Sequence, residues 1–307
     1  HGTSRSKIVP LAHAEAFASQ GLNMYGGTVT LDTASSVVDG TLYNEEVLYA
    51  DQMLKPDLDT AAILPWAEST ARLICNGHWT DGTPQNAAPR KVLERMIGRA
   101  EKMGFFAKAG LEYEFYVLDR ETGQPTFEGI HIFNSIRNTY VPVIGQILEQ
   151  MPLAGVDIIT ANSEYGPSQF EINYAPAIGV AAGDIGFTFK NGVKEIAHKL
   201  GYNATFMTKP FADQSASGCH VHVSLISEET RENVFLDSGN GDGLSGICRQ
   251  FIRGMLDHAG ASMAMLAPSV NCYHRFVPHH FAPSNVSWGV DDRTAMVRAK
   301  NSFDENT

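Results

Sequence analysis

The sequence predicts an α+β protein in two parts, a small strand-rich unit over residues 1–87 and a larger sheet-and-helix unit over residues 88–307. Three observations predict it. The early residues carry short β-favouring runs, Thr28-Val29-Thr30-Leu31 and Glu46-Val47-Leu48-Tyr49, bounded by Gly26-Gly27 and Asp39-Gly40. The later residues carry wide apolar stripes at helical spacing. Between them, residues 76–89 are rich in Gly, Thr, Pro and Asn and read as a linker.

Taken in order, the two early runs are predicted strands. After Pro89, the residues Val92, Leu93, Met96, Ile97, Ala100 and Met103 share one face of a helix, and Gly104 offers a stop. A strand through Glu112 follows directly. A second helix carries Ile185, Phe189, Val193, Ile196, Ala197 and Leu200 on one face, with Gly201 after them. Residues 227–243 are polar and Gly-rich, a surface loop. The most regular stripe is Leu244, Ile247, Cys248, Phe251, Ile252, Met255, Leu256 and Ala259. These stripes are core faces rather than cofactor sites. No internal repeat is present.

A content of 43% hydrophobic and 19% charged residues is that of an ordinary soluble enzyme. No apolar run approaches a membrane span, and the start lacks a charged-then-apolar signal pattern. The net charge of −11 argues against nucleic acid and anionic membrane as partners. Cys75, Cys219, Cys248 and Cys272 show neither pairing nor zinc spacing, which points to the reducing cytoplasm. Cys219 adjoins His220, but neighbouring strand residues point to opposite faces, so core packing is the expected role of its thiol.

Chemistry concentrates in three segments. Glu112-Tyr113-Glu114 puts two carboxylates on one strand face. Asn162-Ser163-Glu164-Tyr165-Gly166-Pro167-Ser168-Gln169-Phe170-Glu171 puts two more at the ends of a bent segment. Ser217-Gly218-Cys219-His220-Val221-His222-Val223-Ser224 puts two imidazoles on one face of a strand. Carboxylate oxygens with one or two imidazoles suit Mg²⁺ or Mn²⁺, the ions that hold nucleotide phosphates.

In that order and spacing the segments resemble the glutamine synthetase family. Its paired-glutamate strand resembles Gly110-Leu111-Glu112-Tyr113-Glu114-Phe115. Its Glu-x-x-x-Gly-Gln-x-Glu segment resembles residues 164–171, with Ser168 where Gly is usual. Its Gly-Ser-Gly-x-His-x-His-x-Ser strand resembles residues 216–224. Its closing arginines resemble Arg275 and the run Asp292-Arg293-Thr294-Ala295-Met296-Val297-Arg298. Softer matches lie at residues 49–57 and 204–210; Lys209-Pro210 within the latter reads as structural. The resemblance implies a β-grasp-like N-terminal domain and a catalytic domain of sheet and helices. Both ends fall inside family patterns: the first residues enter midway through one, and the chain stops about where an Arg-x-Glu-x-Arg motif is expected.

The implied reaction is ATP-dependent amide formation, in which the γ-carboxylate of glutamate is phosphorylated and an amine attacks the acyl phosphate. By resemblance Glu114, Glu164 and Glu171 would hold one divalent cation, and Glu112 and His220 another. His222, Ser224 and Arg298 would line the ATP site; Gly218 and Arg275 would hold glutamate; Arg293 would face the transferring phosphoryl group. Asp32, or else Asp39, would reach a neighbouring subunit's site in a dodecamer of two stacked hexameric rings. Each residue alone has a plainer reading: a lone glutamate is ordinarily a solvated charge, Arg275 an ion-pair partner, a strand-end serine commonplace. Their co-occurrence in order outweighs it.

The departures surround the amine. Ammonia-using members carry a flap glutamate in Arg-x-x-Pro-x-x-Glu-x-Pro; here Arg275-Phe276-Val277-Pro278-His279-His280-Phe281-Ala282-Pro283 puts Phe281 there. A phenyl ring accepts no proton. Asn162 replaces a histidine, Ser215 replaces an asparagine of the glutamate site, and a tyrosine expected near Glu128-Gly129-Ile130-His131 is absent. An apolar amine pocket poor in bases favours a hydrophobic or aromatic amine, neutral in the aromatic case at neutral pH, over ammonia or a polyamine. The alternatives are an ammonia-using synthetase with a substituted flap, and a non-catalytic member that keeps the fold for assembly. The intact acid set argues against the last, since repelling carboxylates are costly to hold without a task.

Overall fold

The structure, a computed structural model, describes residues 2–127, 132–136, 141–278 and 281–301. Helix α1 (Ala14–Gln20) leads into β1 (Leu22–Tyr25), which pairs antiparallel with β2 (Asp51–Ile63); β2 pairs in turn with β3 (Ala71–His78). The two predicted early strands are corrected here. Gly26–Val29 and Glu45–Val47 are short 3₁₀ turns, and the strands lie just before and after them. The reason is local. A side chain at Gly26 would press on the Trp79 ring, and Leu48 and Tyr49 sit at φ 54° and 56°, a left-handed conformation no strand continues. The predicted linker also gives up residues 76–78 to β3. The turn after it is anchored by fully buried Gln85, whose N–H donates to the Gly77 carbonyl at 2.9 Å.

Helix α2 (Pro89–Glu101) starts with Pro in its first turn, where no N–H is missed, and is followed by Gly104 at φ 84°. Strand β4 (Phe105–Asp119) is the spine of a six-stranded antiparallel sheet. Its one edge pairs with β7 (Ala177–Ile178) and β6 (Gln169–Tyr174), the latter backed by β5 (Ile158–Ser163). Its other edge pairs with β9 (Cys219–Ser227) and β8 (Tyr202–Thr205). Helices α3 (Pro142–Gln150) and α4 (Ala181–Lys199) cover one face. There Phe115, Val117, Phe170 and Ile172 of the sheet meet Val143, Ile147, Phe189 and Val193. Leu64 and Trp66, from the first part of the chain, enter the same core. Helix α5 (Gly246–Asp257) is capped by Ser245, which accepts from Cys248 N, and ends earlier than its apolar stripe. Helices α6 (Ala259–Leu266) and α7 (Val270–Tyr273) follow, then the parallel pair β10 (Trp288–Val290) and β11 (Val297–Ala299). Leu244, Cys248 and Ile252 make a second small core with Phe235 and Ala299.

Arg90, in the first turn of α2, ties the parts together. Its guanidinium meets Asp57 of β2 at 2.7 Å, Asp184 of α4 at 2.9 Å and the Asn76 amide oxygen of β3 at 2.9 Å. Trp66 Nε1 donates to Glu195 of α4 at 2.5 Å, and Arg72 donates to Thr188 at 2.8 Å. Among the described residues, no helix is long and apolar enough to cross a membrane.

Candidate active site

The face of the sheet opposite α3 and α4 is polar, and strand periodicity makes it so. On β4 the residues Glu112, Glu114 and Tyr116 alternate with Leu111, Tyr113, Phe115 and Val117. Pairing register then brings the partners. Glu112 lies opposite His220 on one side and Asn173 on the other; Glu114 lies opposite Glu171, and Glu171 opposite Asn162. Segments far apart in sequence thus deliver one acidic surface.

Its centre is Glu112, Glu171 and His220, each offering a ligand atom within 4.8 Å of the others. Glu112 Oε1 lies 3.3 Å from His220 Nδ1, and its Oε2 lies 2.8 Å from His222 Nε2. Burial would push Glu112 up, but hydrogen bonds from both histidines and from Glu171 hold it well below the usual carboxylate range. Glu171 goes the other way, pushed up to about 9 by burial, by its bond to Glu112 and by the charges of Glu164 and Glu114. Glu164 is pushed up to about 7, by burial first and then by Glu114, against the donors Tyr165 N at 3.3 Å and Asn162 Nδ2 at 3.2 Å. Four carboxylates that cannot all ionise without positive charge between them are a donor set fitted to divalent cations.

Gly218 marks the next corner. A methyl there would lie 2.9 Å from an Arg275 nitrogen, 3.0 Å from Glu114 Oε1 and 3.2 Å from His220 Nε2. Arg275 reaches the same place, 3.5 Å from His220 Nε2. The structure therefore brings together Glu112, Glu114, Glu164, Glu171, His220, His222, Gly218 and Arg275. Ser224 lies opposite Lys108, four residues from Glu112 and about 13 Å farther along the strand.

Among the described residues, three candidates make no hydrogen bond or ion pair to the four acids. Asp32 accepts from Ala34 N and Ser36 N in its own turn, at 2.9 and 2.8 Å. Arg293 is exposed in the turn before β11, and Arg298 is in β11 opposite Gly289. Among the described residues neither arginine forms an ion pair with the four acids. Residues 128–131, where a tyrosine was expected, lie outside the described residues, as do His279 and His280. Cys219 is exposed rather than in the core, because β9 is an edge strand there. Its thiol still meets Tyr113, and burial pushes it up to about 11, no range for a nucleophile.

Phe281 is exposed, with φ 51°, and its ring stacks on that of Tyr165 at 6.1 Å and 15°. Phe276 packs on Tyr273 instead. Ser168, where the resembling motif has Gly, does take a left-handed φ of 62°. Its hydroxyl accepts from Phe127 N at 2.6 Å, which offsets part of the strain. Sequence reasoning missed Gln169 and Asn173. Gln169 is buried, donating to Glu114 Oε2 at 3.3 Å and to the Ala216 carbonyl at 3.1 Å, while its own oxygen accepts from Gly166 N at 2.9 Å. Asn173 donates to Glu171 at 3.3 Å. Period-two spacing from Glu171 was the signal for both.

Known proteins resemble this chain in sequence and fold. The model of the glutamine synthetase catalytic domain matches residues 86–307. A glutamate–isopropylamine ligase of a Pseudomonas species is 35% identical over 283 residues, covering 88% of this chain and 61% of that protein. A glutamine synthetase of Thermotoga maritima is 36% identical over 271 residues, covering 86% and 61%. A solved structure described as a novel glutamine synthase homolog matches with a TM-score of 0.84 at 26% identity, over 95% of this chain and 68% of that one. The chain thus spans about three fifths of the length of these two curated relatives.

Proposed function

The chain belongs to the glutamine synthetase family, and from that premise we propose that the whole protein is an ATP-dependent ligase joining the γ-carboxylate of glutamate to a hydrophobic or aromatic amine through γ-glutamyl phosphate. One observation carries the choice of amine. Where ammonia-using members place a flap glutamate, Phe281 offers an exposed ring, stacked on the residue that follows Glu164. Identity alone does not decide, since an isopropylamine ligase and a glutamine synthetase match equally well. The chemistry at the flap favours the organic amine.

In this reading Glu114, Glu164 and Glu171 hold one Mg²⁺ or Mn²⁺, and Glu112 and His220 a second. Glu171, which interacts with all three other acids, can serve either. Such ions, when bound, neutralise charge on the transferring phosphoryl group. Gln169 fixes the carboxylate of Glu114 and the turn at Gly166 together. Arg275 holds the α-carboxylate of glutamate beside Gly218, whose missing side chain leaves it room. His222, Ser224 and Arg298 line the nucleotide, and Arg293 stabilises the charge that develops during transfer. An aromatic amine arrives neutral and needs no base before attack, consistent with a flap that has none. A β-grasp-like N-terminal unit, a dodecamer of two stacked hexameric rings, Asp32 or Asp39 facing a neighbour's site, and a cytoplasmic setting complete the proposal.

The test is an amine panel in an ADP-release assay with the full-length protein, glutamate and Mg²⁺. The wild type should turn over a hydrophobic or aromatic amine faster than ammonium at equal concentration. Phe281→Glu should raise turnover with ammonium and lower it with an aryl amine by roughly 2- to 12-fold, the value of one aromatic contact. Turnover of ammonium with rejection of every organic amine would identify a glutamine synthetase instead. No ADP release with any amine would leave the fold serving assembly.

A further inference from the structure

Tyr165 follows Glu164 in the turn between β5 and β6, and its N–H donates to the Glu164 carboxylate at 3.3 Å. Its ring is not part of the core: the residue is 43% exposed, and its stacking partner Phe281 is 59% exposed. Together the two rings make a contiguous exposed apolar surface rather than a scattered one. Phe281 also holds a left-handed φ of 51°, a conformation a bulky residue adopts only where its surroundings over-determine it. The nearly parallel rings, at 15° with centroids 6.1 Å apart, form an offset apolar stack. Next to Tyr165 in the chain, and held by its backbone N–H, is the Glu164 carboxylate, whose side-chain donor is the neutral amide of Asn162.

Resting on the ligase reading above, we propose that Tyr165 is a specificity-determining residue. With Phe281 it forms a two-ring platform that takes the aryl body of a primary aromatic amine, the nitrogen turned toward Glu164. The platform narrows the substrate class from apolar amines in general to aromatic ones. A second flat π-system gains stacking on such a pair, while an aliphatic ring of the same size gains only burial.

The experiment compares aniline with cyclohexylamine, two six-carbon rings, in the full-length enzyme. The ratio of their kcat/KM values cancels any general damage to the site. Tyr165→Leu should lower the aniline-to-cyclohexylamine ratio by roughly 2- to 12-fold, and Tyr165→Phe should keep it within about twofold. Because the rings act as a pair, Tyr165→Leu combined with Phe281→Leu should lower the ratio by less than the product of the single effects. A ratio unmoved by Tyr165→Leu, or a Tyr165→Phe variant as impaired as Tyr165→Leu, overturns the inference while leaving the ligase intact. A wild type that couples ammonium but neither ring amine overturns the ligase reading and this inference with it.

Discussion

The two faces of β4 are drawn from alternate residues of one strand, yet they obey opposite rules. Toward α3 and α4, Phe115 and Val117 are fully buried among apolar neighbours, and every contact there lowers the free energy of the fold. Toward the polar side, Glu112 and Glu114 join Glu164 and Glu171 in an arrangement that charge repulsion opposes. Burial first, and then the neighbouring charges, push Glu171 up to about 9 and Glu164 up to about 7. The difference teaches that the acidic face cannot hold itself together. The apolar face, one residue away at every step, supplies the rigidity that keeps the carboxylates converged.

The sharpest test uses the acids. Glu164→Ala should cut ADP release by roughly 10²- to 10³-fold, as for loss of a preorganised electrostatic contact, while the melting temperature stays level or rises as repulsion is relieved. Normal activity with divalent metal present would remove Glu164 from the site. The converse variant is Phe115→Ala, which should destabilise by about 3–5 kcal/mol in urea unfolding. If it cost as little as a surface change, the apolar face would not be the supporting one.

Gly218→Ala probes the corner between Arg275, Glu114 and His220. Displacing them should raise the KM for glutamate about tenfold or more, with thermal stability nearly unchanged. A subtler effect is on pH dependence. Glu164 and Glu171 have folded-state values above the ordinary 4.5, so between pH 4.5 and 9 the folded state binds more protons than the unfolded one. Their contribution is fully present below pH 4.5 and is lost as pH rises through 7 and then 9. Glu112, held low, works in the opposite sense and loses its contribution only in acid. In chelator the melting temperature should therefore fall from pH 5 to 9, and Mg²⁺ should flatten the slope; an identical slope with and without Mg²⁺ would count against a cation site. The smallest effect belongs to Ser224→Ala, expected within about twofold in the KM for ATP and within ~0.5 kcal/mol in stability.

Much of this contrast was legible in the sequence. The stripe of Ile185, Phe189, Val193 and Ile196 declared α4, and alternation about Glu112 and Glu114 declared a strand with one acidic face. Motif order named residues that register then brought together, Glu112 with His220 and Glu114 with Glu171. The misread strands near Gly26 and Leu48 failed because β-branched composition says nothing of positive φ or of a tryptophan pressing on a glycine. The Tyr165–Phe281 stack left no local trace, since its rings come from segments that only the tertiary fold brings together. Asp32, Arg293 and Arg298 kept their places in the motif order, but motif order carries no distance.

Arg90 gives the molecule one more property. By joining β2, β3 and α4, while Trp66 and Leu64 fill the core behind Phe115, it makes the small sheet part of the six-stranded sheet's own foundation. The polypeptide from residue 88 onward is then no transplantable module. Expressed alone it would present an open hole where Trp66 sat and an Arg90 stripped of Asp57 and Asn76, and would be expected to recover poorly from denaturant. The expected outcome is that the two sheets melt in a single cooperative transition, which calorimetry of the whole chain would check.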